Sequence, residues 1–339
     1  MRQSSIKNMA MFPTRTLGHS TLALTPIGLG AWAIGGEWRF GWGPQDDADS
    51  IATIRRAIER GLNWIDTAAI YGLGHSEEVV GRALKDVPRG ERPYVFTKCS
   101  LVWDDKGSTW HSLDPQSIRK EIDQSLRRLQ VERIDLYQIH WPVWPASPPG
   151  YDPGSIEDAW AELVTLRNEG KTAFIGVSNF DVSQLKRIAR IETPTNLQPP
   201  YSMLRPEIEQ EILPYCLEHN IGVIPYSPMQ SGLLSGKMTR ERIASLPEGD
   251  WRRNNRFYQE PLLSKAFSLV DRLRTIADKH GRTPGEVAIA WTLRHPAITA
   301  TIVGARNPRQ IDELMGAATF RLSKEEIEEL DGVVALPHS

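Results

Sequence analysis

The chain has 339 residues, of which 40% are hydrophobic and 24% charged, and its formal net charge of -2 excludes a basic surface for nucleic acid. No stretch approaches the roughly 20 apolar residues of a membrane span, and the N-terminus has no apolar segment of signal-peptide length. The two cysteines, Cys99 and Cys216, lack metal-binding or disulfide spacing, so we expect a soluble, cytoplasmic protein.

Eight short apolar or β-branched segments are predicted as strands. They are Ile27–Gly30, Asn63–Thr67, Tyr94–Lys98, Ile134–Ile139, Ala173–Ser178, Thr195–Gln198, Gly222–Tyr226 and Thr299–Val303. The first is the least typical strand, because Pro26 and two glycines crowd it. Amphipathic segments lie between the strands, and several follow an N-cap residue. These caps are Asp114, Ser155, Asp181, Thr283 and Asn307, the last three with Gln or Glu at the capping-box position.

The alternation of strands and helices predicts parallel pairing, because a parallel strand needs a crossover that a helix supplies. Eight such units in one chain favour a closed (β/α)8 TIM barrel, formed as a single domain over residues 1–339. An open dinucleotide-binding sheet would require three glycines after its first strand. Here Gly28 and Gly30 are followed by Ala33, so the third glycine is missing.

Four segments lie outside this repeat. Residues 1–14 are predicted to be an N-terminal extension, and residues 16–24 a hairpin that turns at Gly18-His19-Ser20. The other two are long segments, Trp141–Gly154 after the fourth strand and Ser227–Leu263 after the seventh. Active sites of barrels are built at the C-terminal ends of the strands, so we expect both long segments to be functional.

Three consecutive strands deliver titratable groups to this same end of the barrel. Asp66 and Tyr71 follow the second strand, Lys98 ends the third, and His140 follows the fourth. Taken singly, each has an ordinary explanation as a cap, a packing residue or a structural histidine. Lys98 is harder to explain, because an ammonium that ends an apolar run must be paired, and Asp66 is the natural partner.

Together the four residues suit the reduction of a carbonyl group. The oxygen that receives charge from an incoming hydride must be protonated, and a tyrosine can donate that proton. We expect the Lys98 ammonium to lower the pKa of Tyr71, and His140 to stabilise the developing oxyanion.

These motifs resemble the aldo-keto reductase superfamily over nearly the whole chain. The family's D-x-x-x-x-Y motif matches Asp66 to Tyr71, and its strand-end lysine and histidine match Lys98 and His140. The resemblance implies that Tyr71 is the general acid/base, with Lys98 as its pKa modulator and Asp66 as the ion-pair partner of that lysine. It also implies that His140 orients the substrate.

The resemblance further implies a cofactor site for NADP(H) in preference to NAD(H). The segment Gly176-Val177-Ser178-Asn179-Phe180 matches the family's G-x-S-N-F, and Arg306 would contact the 2′-phosphate. The implied cofactor-binding residues are Gly30, Ser178, Asn179, Gln198, Tyr226, Ser227, Pro228, Gly232, Leu233, Lys237, Gly304, Arg306, Gln310 and Glu313. Two positions depart from the family pattern, since Leu314 replaces an asparagine and Val303 a proline.

The chain has eleven tryptophans, and seven of them cluster in three segments that follow strands. We expect Trp32, Trp103, Trp141 and Trp144 to line the substrate pocket, which would favour a small carbonyl substrate with an apolar portion. The tryptophan-rich loops suggest a bacterial branch of aldehyde or glyceraldehyde reductases.

Three other functions compete with this prediction. Lys98 could be the nucleophile of a Schiff-base aldolase, although an adjacent Asp66 would keep it charged. A cofactor-binding subunit of the potassium-channel β type shares the fold and a similar site. A metal-dependent hydrolase is disfavoured, because the eight histidines form no H-x-H at a strand end and no H-E-x-x-H.

Overall fold

The computed structural model of the protein describes residues 12–38, 40–144, 151–248 and 250–334. The strands are β1 (Arg15–Thr16), β2 (Ala23–Leu24), β3 (Ile27–Gly30), β4 (Trp64–Asp66), β5 (Tyr94–Cys99), β6 (Leu101–Trp103), β7 (Thr109–His111), β8 (Ile134–Ile139), β9 (Thr172–Ser178), β10 (Asn196–Gln198), β11 (Gly222–Val223) and β12 (Thr301–Gly304). The helices are α1 (Asp47–Glu59), α2 (His75–Leu84), α3 (Pro115–Leu129), α4 (Ile156–Asn168), α5 (Val182–Ile188), α6 (Ile212–Glu218), α7 (Arg240–Ala244), α8 (Leu262–His280), α9 (Pro284–Thr292), α10 (Pro308–Leu314) and α11 (Lys324–Val334).

Eight strands form one parallel sheet in the order β11-β10-β9-β8-β5-β4-β3-β12. The two outer strands of this order meet, because Val223 pairs in parallel with Ile298 and accepts a hydrogen bond from the Thr299 amide at 2.9 Å. The Ile302 amide donates to the Pro225 carbonyl at 2.9 Å in the same seam. The predicted (β/α)8 barrel is therefore confirmed, including β3, the strand with the least typical sequence.

Local chemistry fixes where several helices begin. The side chains of Asp181 and Thr283 form complete capping boxes at α5 and α9, as their spacing predicts. The start of α10 differs from the prediction in one respect. Asn307 accepts from the Gln310 amide at 3.1 Å, but the Gln310 side chain accepts from the amide of Arg306 instead of completing the box.

The predicted N-terminal hairpin is present and closes one end of the barrel. Strands β1 and β2 pair antiparallel, and the leucines of the hairpin (Leu17, Leu22 and Leu24) pack against Trp64 and Phe96 in the barrel interior. Burying these side chains leaves the opposite end, at the C-terminal ends of the strands, open for a site.

Further chain surrounds that open end. A second hairpin, β6–β7, follows β5 and was not predicted from the sequence. The segment after β11 contains α7 and three short 3-10 helices, whereas residues 145–150 of the segment after β8 lie outside the described residues, as do residues 1–11 of the predicted extension. Within the described ranges, every helix falls short of the length and apolar character that a bilayer crossing requires.

Candidate active site

The barrel brings the four candidate catalytic side chains together. Asp66 is the last residue of β4, Tyr71 lies in the turn that follows, Lys98 is in β5, and His140 comes directly after β8. These strands are consecutive neighbours in the sheet, with β4 paired to β5 and β5 to β8. Their C-terminal ends therefore meet at one edge of the barrel mouth.

An ion pair lies at the centre of this group. The Lys98 Nζ donates to Asp66 Oδ1 at 2.6 Å and to the Thr67 carbonyl at 2.8 Å, and it lies 3.5 Å from the Tyr71 hydroxyl. The side chains of Lys98 and Asp66 are 0% and 3% exposed. Two strong acceptors hold the ammonium, so its position beneath Tyr71 is fixed.

The pKa of Tyr71 differs from the expectation drawn from the sequence. Burial raises the pKa of this half-buried phenol well above its usual value, and the negative charge of Asp66 raises it further. The Lys98 ammonium, 3.5 Å from the hydroxyl, favours the phenolate, but the net shift of the pKa is upward, with burial as its largest cause. Tyr71 is accordingly a protonated phenol at neutral pH.

His140 faces Tyr71 across the floor of the site. The two rings meet edge to face, with centroids 5.7 Å apart and planes at 77°. Burial lowers the pKa of His140 well below its usual value, and the nearby Lys98 charge lowers it further. The imidazole is therefore neutral, and its ring nitrogens have no hydrogen-bond partner in the described part of the chain, so one of them is available to a bound molecule.

A buried acid lies behind β5. The Glu121 carboxyl accepts from the Ser100 amide at 3.0 Å and from the Ser117 hydroxyl at 3.3 Å. Burial raises the pKa of Glu121 to about 8, against the lowering effect of these hydrogen bonds. This carboxyl lies outside the cavity described next, and it is a site where stability depends on pH.

A cavity of about 780 Å³ opens above the four residues. It is lined by Asp66, Tyr71 and His140, but not by Lys98, which lies beneath its floor. The other predicted site residues that line it are Gly30, Trp32, Trp141, Trp144, Ser178, Asn179, Gln198, Tyr226, Ser227, Pro228, Gly232, Lys237, Gly304, Arg306, Gln310 and Glu313. Because Lys98 has no access to the cavity, it is poorly placed to be the nucleophile of an aldolase.

Two predicted residues do not line the cavity. Leu233 is fully buried in a short 3-10 helix of the segment after β11. Trp103 packs on the small apolar cluster of Ala68, Ile70 and Leu101, with the Arg128 guanidinium 5.5 Å from its ring centroid. It is on hairpin β6–β7, which the sequence did not predict, so its position after β5 did not show whether its ring reaches the cavity.

The aromatic wall instead includes residues that sequence reasoning did not assign to the pocket. Trp251 stacks on Trp32 with centroids 5.4 Å apart, and Trp42 meets both rings edge to face. Trp38 and Phe40 also line the cavity. Clustering of tryptophans was a visible signal for Trp38 and Trp42, whereas nothing local marks Trp251, which reaches the wall from the distant segment after β11.

Predicted carboxamide-binding residues converge at one corner of the cavity. The Tyr226 hydroxyl donates to Asn179 Oδ1 at 2.9 Å, and Asn179 Nδ2 donates to the Ser178 hydroxyl at 3.0 Å. The amide of Gln198 lies beside them and donates to Asp66 Oδ2 at 2.9 Å. A planar polar group could therefore bind between these side chains and the acid of the ion pair.

The opposite end of the cavity carries the predicted phosphate contacts. Arg306 Nε donates to Gln45 Oε1 at 2.8 Å, and Arg306 Nη2 donates to the Pro44 carbonyl at 2.5 Å. Lys237 forms an ion pair with Glu313. Among the described residues, Arg306 is held by neutral acceptors, so its positive charge can attract an anion, whereas the charge of Lys237 is largely offset.

The dimensions and donors of this cavity fit a nicotinamide dinucleotide. An amide-rich corner lies next to the ion pair, the Tyr226 ring lines the wall beside it, and a guanidinium lies at the far end. In the described residues, no three His, Cys, Asp or Glu side chains are grouped so as to hold a metal ion.

Comparison with known proteins identifies similar chains along nearly the entire length. A sequence model described as "Aldo/keto reductase family" matches residues 26–335. The chain is 36% identical over 310 residues to "Aldo-keto reductase YhdN" of Bacillus subtilis (strain 168), covering 91% of this chain and 89% of that protein. It is 35% identical over 318 residues to "NADH-specific methylglyoxal reductase" of Escherichia coli (strain K12), covering 91% and 94%.

A solved structure is similar as well. The glycerol dehydrogenase AKR11B4 from Gluconobacter oxydans superimposes with a TM-score of 0.85 at 37% sequence identity, and the match covers 95% of each chain.

Proposed function

Since the chain belongs to the aldo/keto reductase family, we propose that it reduces a small aldehyde or ketone to an alcohol with NADPH. The observation that carries this proposal is the buried ion pair of Lys98 and Asp66, which lies 3.5 Å below the Tyr71 hydroxyl at the floor of the cavity. When bound, the dinucleotide supplies the hydride. The side chains of this chain supply the proton, the orientation of the carbonyl and the exclusion of water.

Tyr71 is the proton donor in this proposal. Its hydroxyl lines the cavity and is protonated at neutral pH, which is the state that donation requires. The adjacent Lys98 ammonium is held by Asp66 and Thr67 and stabilises the phenolate that donation leaves behind. Burial and the charge of Asp66 keep the starting phenol protonated, and Lys98 stabilises the phenolate that forms as the proton leaves.

His140 orients the carbonyl. Because the imidazole is neutral, one ring nitrogen carries a proton and can donate to the carbonyl oxygen while Tyr71 donates to it from the other side. Two donors that converge on one oxygen fix its position and stabilise the charge that develops on it.

The preference for NADP(H) over NAD(H) is the finer part of the proposal and is supported by Arg306. Its guanidinium has no acidic partner in the part of the chain that the structure describes, and such a group binds a 2′-phosphate far better than a 2′-hydroxyl. One relative is named as NADH-specific, so the preference has to be measured for this chain.

We propose a neutral substrate with an apolar portion. The wall around Tyr71 and His140 is built from tryptophan rings that offer broad apolar faces. The Arg252 guanidinium also lines the cavity, 4.9 Å from the Trp42 ring centroid, but Asp250 already pairs with its charge. A carboxylate substrate would have to compete with Asp250 for this cation.

A panel of aldehydes and ketones assayed with both NADPH and NADH tests the proposal. We expect loss of nicotinamide absorbance with several neutral aldehydes, faster at low concentrations of NADPH than of NADH. Binding of cofactor without turnover of any member of a broad panel would contradict the proposed activity, and equal use of the two cofactors would contradict the role of Arg306.

A further inference from the structure

The barrel interior contains three neighbouring amide side chains, Gln138, Asn196 and Gln198, which we call the amide cluster. Their exposed fractions are 0%, 0% and 2%, so their hydrogen bonds are made chiefly within the protein. Gln138 is on β8, and the other two are on β10. Gly176 on β9 makes room between them, because a Cβ there would lie 1.7 Å from Asn196 Oδ1.

Asp66 sets the orientation of the cluster. Its Oδ2 accepts from Gln198 Nε2 at 2.9 Å and faces Gln138 Nε2 at 3.4 Å. An ionised carboxylate can only accept hydrogen bonds, so both glutamines must turn their amino groups toward it.

The oxygen of Gln138 then faces the remaining two members. Gln138 Oε1 accepts from Asn196 Nδ2 at 2.8 Å and from Gln198 Nε2 at 3.3 Å. If Gln198 were flipped, its oxygen would face both Asp66 Oδ2 and Gln138 Oε1, and two donor–acceptor contacts would become repulsive. Gln138 therefore adds to the preference of Gln198 for a single orientation.

The consequence appears at the cavity surface. The Gln198 side chain lines the cavity, and its Oε1 has no hydrogen-bond partner within the part of the chain that the structure describes. With the amino group committed to Asp66, this oxygen is an acceptor available at the corner formed by Ser178 and Asn179.

We propose that Gln138 is a positioning residue, which keeps the oxygen of Gln198 turned toward the cavity to accept a hydrogen bond from the amino group of the nicotinamide carboxamide. The inference rests on the proposed function, since it assumes that a nicotinamide dinucleotide binds here. It also connects the bound carboxamide through Gln198 to Asp66, and thus to the ion pair below Tyr71.

The test compares two dinucleotides that differ at one group. NADP⁺ has a carboxamide, whereas its 3-acetylpyridine analogue keeps the carbonyl oxygen and lacks the amino group. Dissociation constants for both, measured by titration calorimetry, give a ratio that reports the hydrogen bond to Gln198. We expect wild-type protein to bind NADP⁺ about tenfold more tightly than the analogue, the value of one ordinary hydrogen bond.

The substitution Gln138→Met keeps the length of the side chain and removes both of its hydrogen-bonding groups. We expect the ratio to fall to about threefold or less, because Gln198 then keeps one of its two orienting contacts, that with Asp66, and its oxygen faces the cavity for less of the time. As a matched control, Thr172→Val removes a buried hydroxyl from the start of β9, at the far end of the barrel, and should keep the wild-type ratio. A purely structural role of Gln138 would weaken the binding of both dinucleotides by the same factor and leave the ratio unchanged, which would overturn the inference.

The outcomes for the wild-type protein separate the inference from the proposed function. Failure to bind NADP⁺ at all would contradict the proposed function and remove the inference with it. Binding and turnover with NADP(H), together with equal affinity for the two dinucleotides, would overturn the inference alone.

A measurement on unaltered protein covers the case in which Gln138→Met does not fold. In protein labelled with ¹⁵N-glutamine, the side-chain amide signals of Gln138 and Gln198 should shift more on addition of NADP⁺ than on addition of the analogue. Equal shifts with the two dinucleotides would overturn the inference.

Discussion

Removal of the Lys98 ammonium should destabilise the protein far more than removal of a surface cation. Lys98→Met replaces the lysine with an uncharged side chain of similar length. Asp66 is then left as a buried carboxylate without its ionic partner. Among the described residues, Asp66 then keeps the amide donors of Gln138 and Gln198. The site therefore loses its strongest hydrogen bond together with its charge balance.

The structure sets the expected size of this effect. At a separation of 2.6 Å, the Coulomb attraction of the pair is about 6 kcal/mol for an effective dielectric constant of about 20. The cost of burying both charges offsets part of this attraction, and breaking such a pair by removing one partner typically costs about 3–5 kcal/mol. The double variant Asp66→Asn with Lys98→Met restores neutrality, so its loss should be smaller than the sum of the two single losses.

Unfolding in urea, followed by tryptophan fluorescence at pH 7, measures these free energies. The matched control is Arg55→Met, which removes the cation of a surface ion pair with Asp86. The side chains of Arg55 and Asp86 are 47% and 76% exposed. We expect the control to cost less than about 1 kcal/mol. If Lys98→Met cost no more than Arg55→Met, or if the single losses simply added in the double variant, the reasoning from burial would be refuted.

Three further predictions concern proton donation, cofactor choice and pH. Tyr71→Phe should lower kcat by about 10²–10⁴-fold while leaving NADPH affinity nearly intact. The control is Tyr94→Phe, at the start of β5 and away from Lys98, which should keep the wild-type kcat. Retained turnover in Tyr71→Phe would contradict its role as proton donor. In calorimetry, Arg306→Ala should weaken NADPH binding by about 10–100-fold and leave NADH binding unchanged. As the control, Arg309→Ala, at a side chain that is 86% exposed, should leave the affinity for both cofactors unchanged. Equal loss of affinity for both cofactors in Arg306→Ala would argue against a 2′-phosphate contact. The free energy of unfolding should fall as pH rises from 4.5 toward 8, because folded protein retains the Glu121 proton that the unfolded chain releases. In urea titrations, Glu121→Gln should flatten this dependence of unfolding free energy on pH. An unchanged dependence would show that another group is responsible.

Features that depend on local chemistry were predictable from the sequence. The bounds of β3 and β8 agree with the predicted segments, and the capping boxes at Asp181 and Thr283 form as their spacing indicates. These features need only a few consecutive residues, because side-chain periodicity and cap hydrogen bonds are determined within one element. Barrel closure followed from the number of such elements and the rule that parallel strands need crossovers.

Features that depend on contacts between distant segments were not predictable in the same way. The stacking of Trp251 on Trp32 joins the segment after β11 to the segment after β3, and only the closed barrel brings these together. Trp103 was misplaced for the opposite reason, since the unpredicted hairpin β6–β7 turns its ring toward Arg128. Strand order alone locates the barrel mouth, but it does not determine which loop residues reach it.

The pKa of Tyr71 shows why pairwise reasoning about charges was insufficient. A single ammonium beside a phenol would lower its pKa, but burial of Tyr71, together with the charge of Asp66, raises it by more. The result is a phenol that keeps its proton at neutral pH, while Lys98 offsets part of the cost of the phenolate that donation forms. Reduction needs a proton donor and alcohol oxidation needs a proton acceptor, so this protonation state favours reduction at neutral pH, while the oxidation rate should increase as the solution becomes more alkaline.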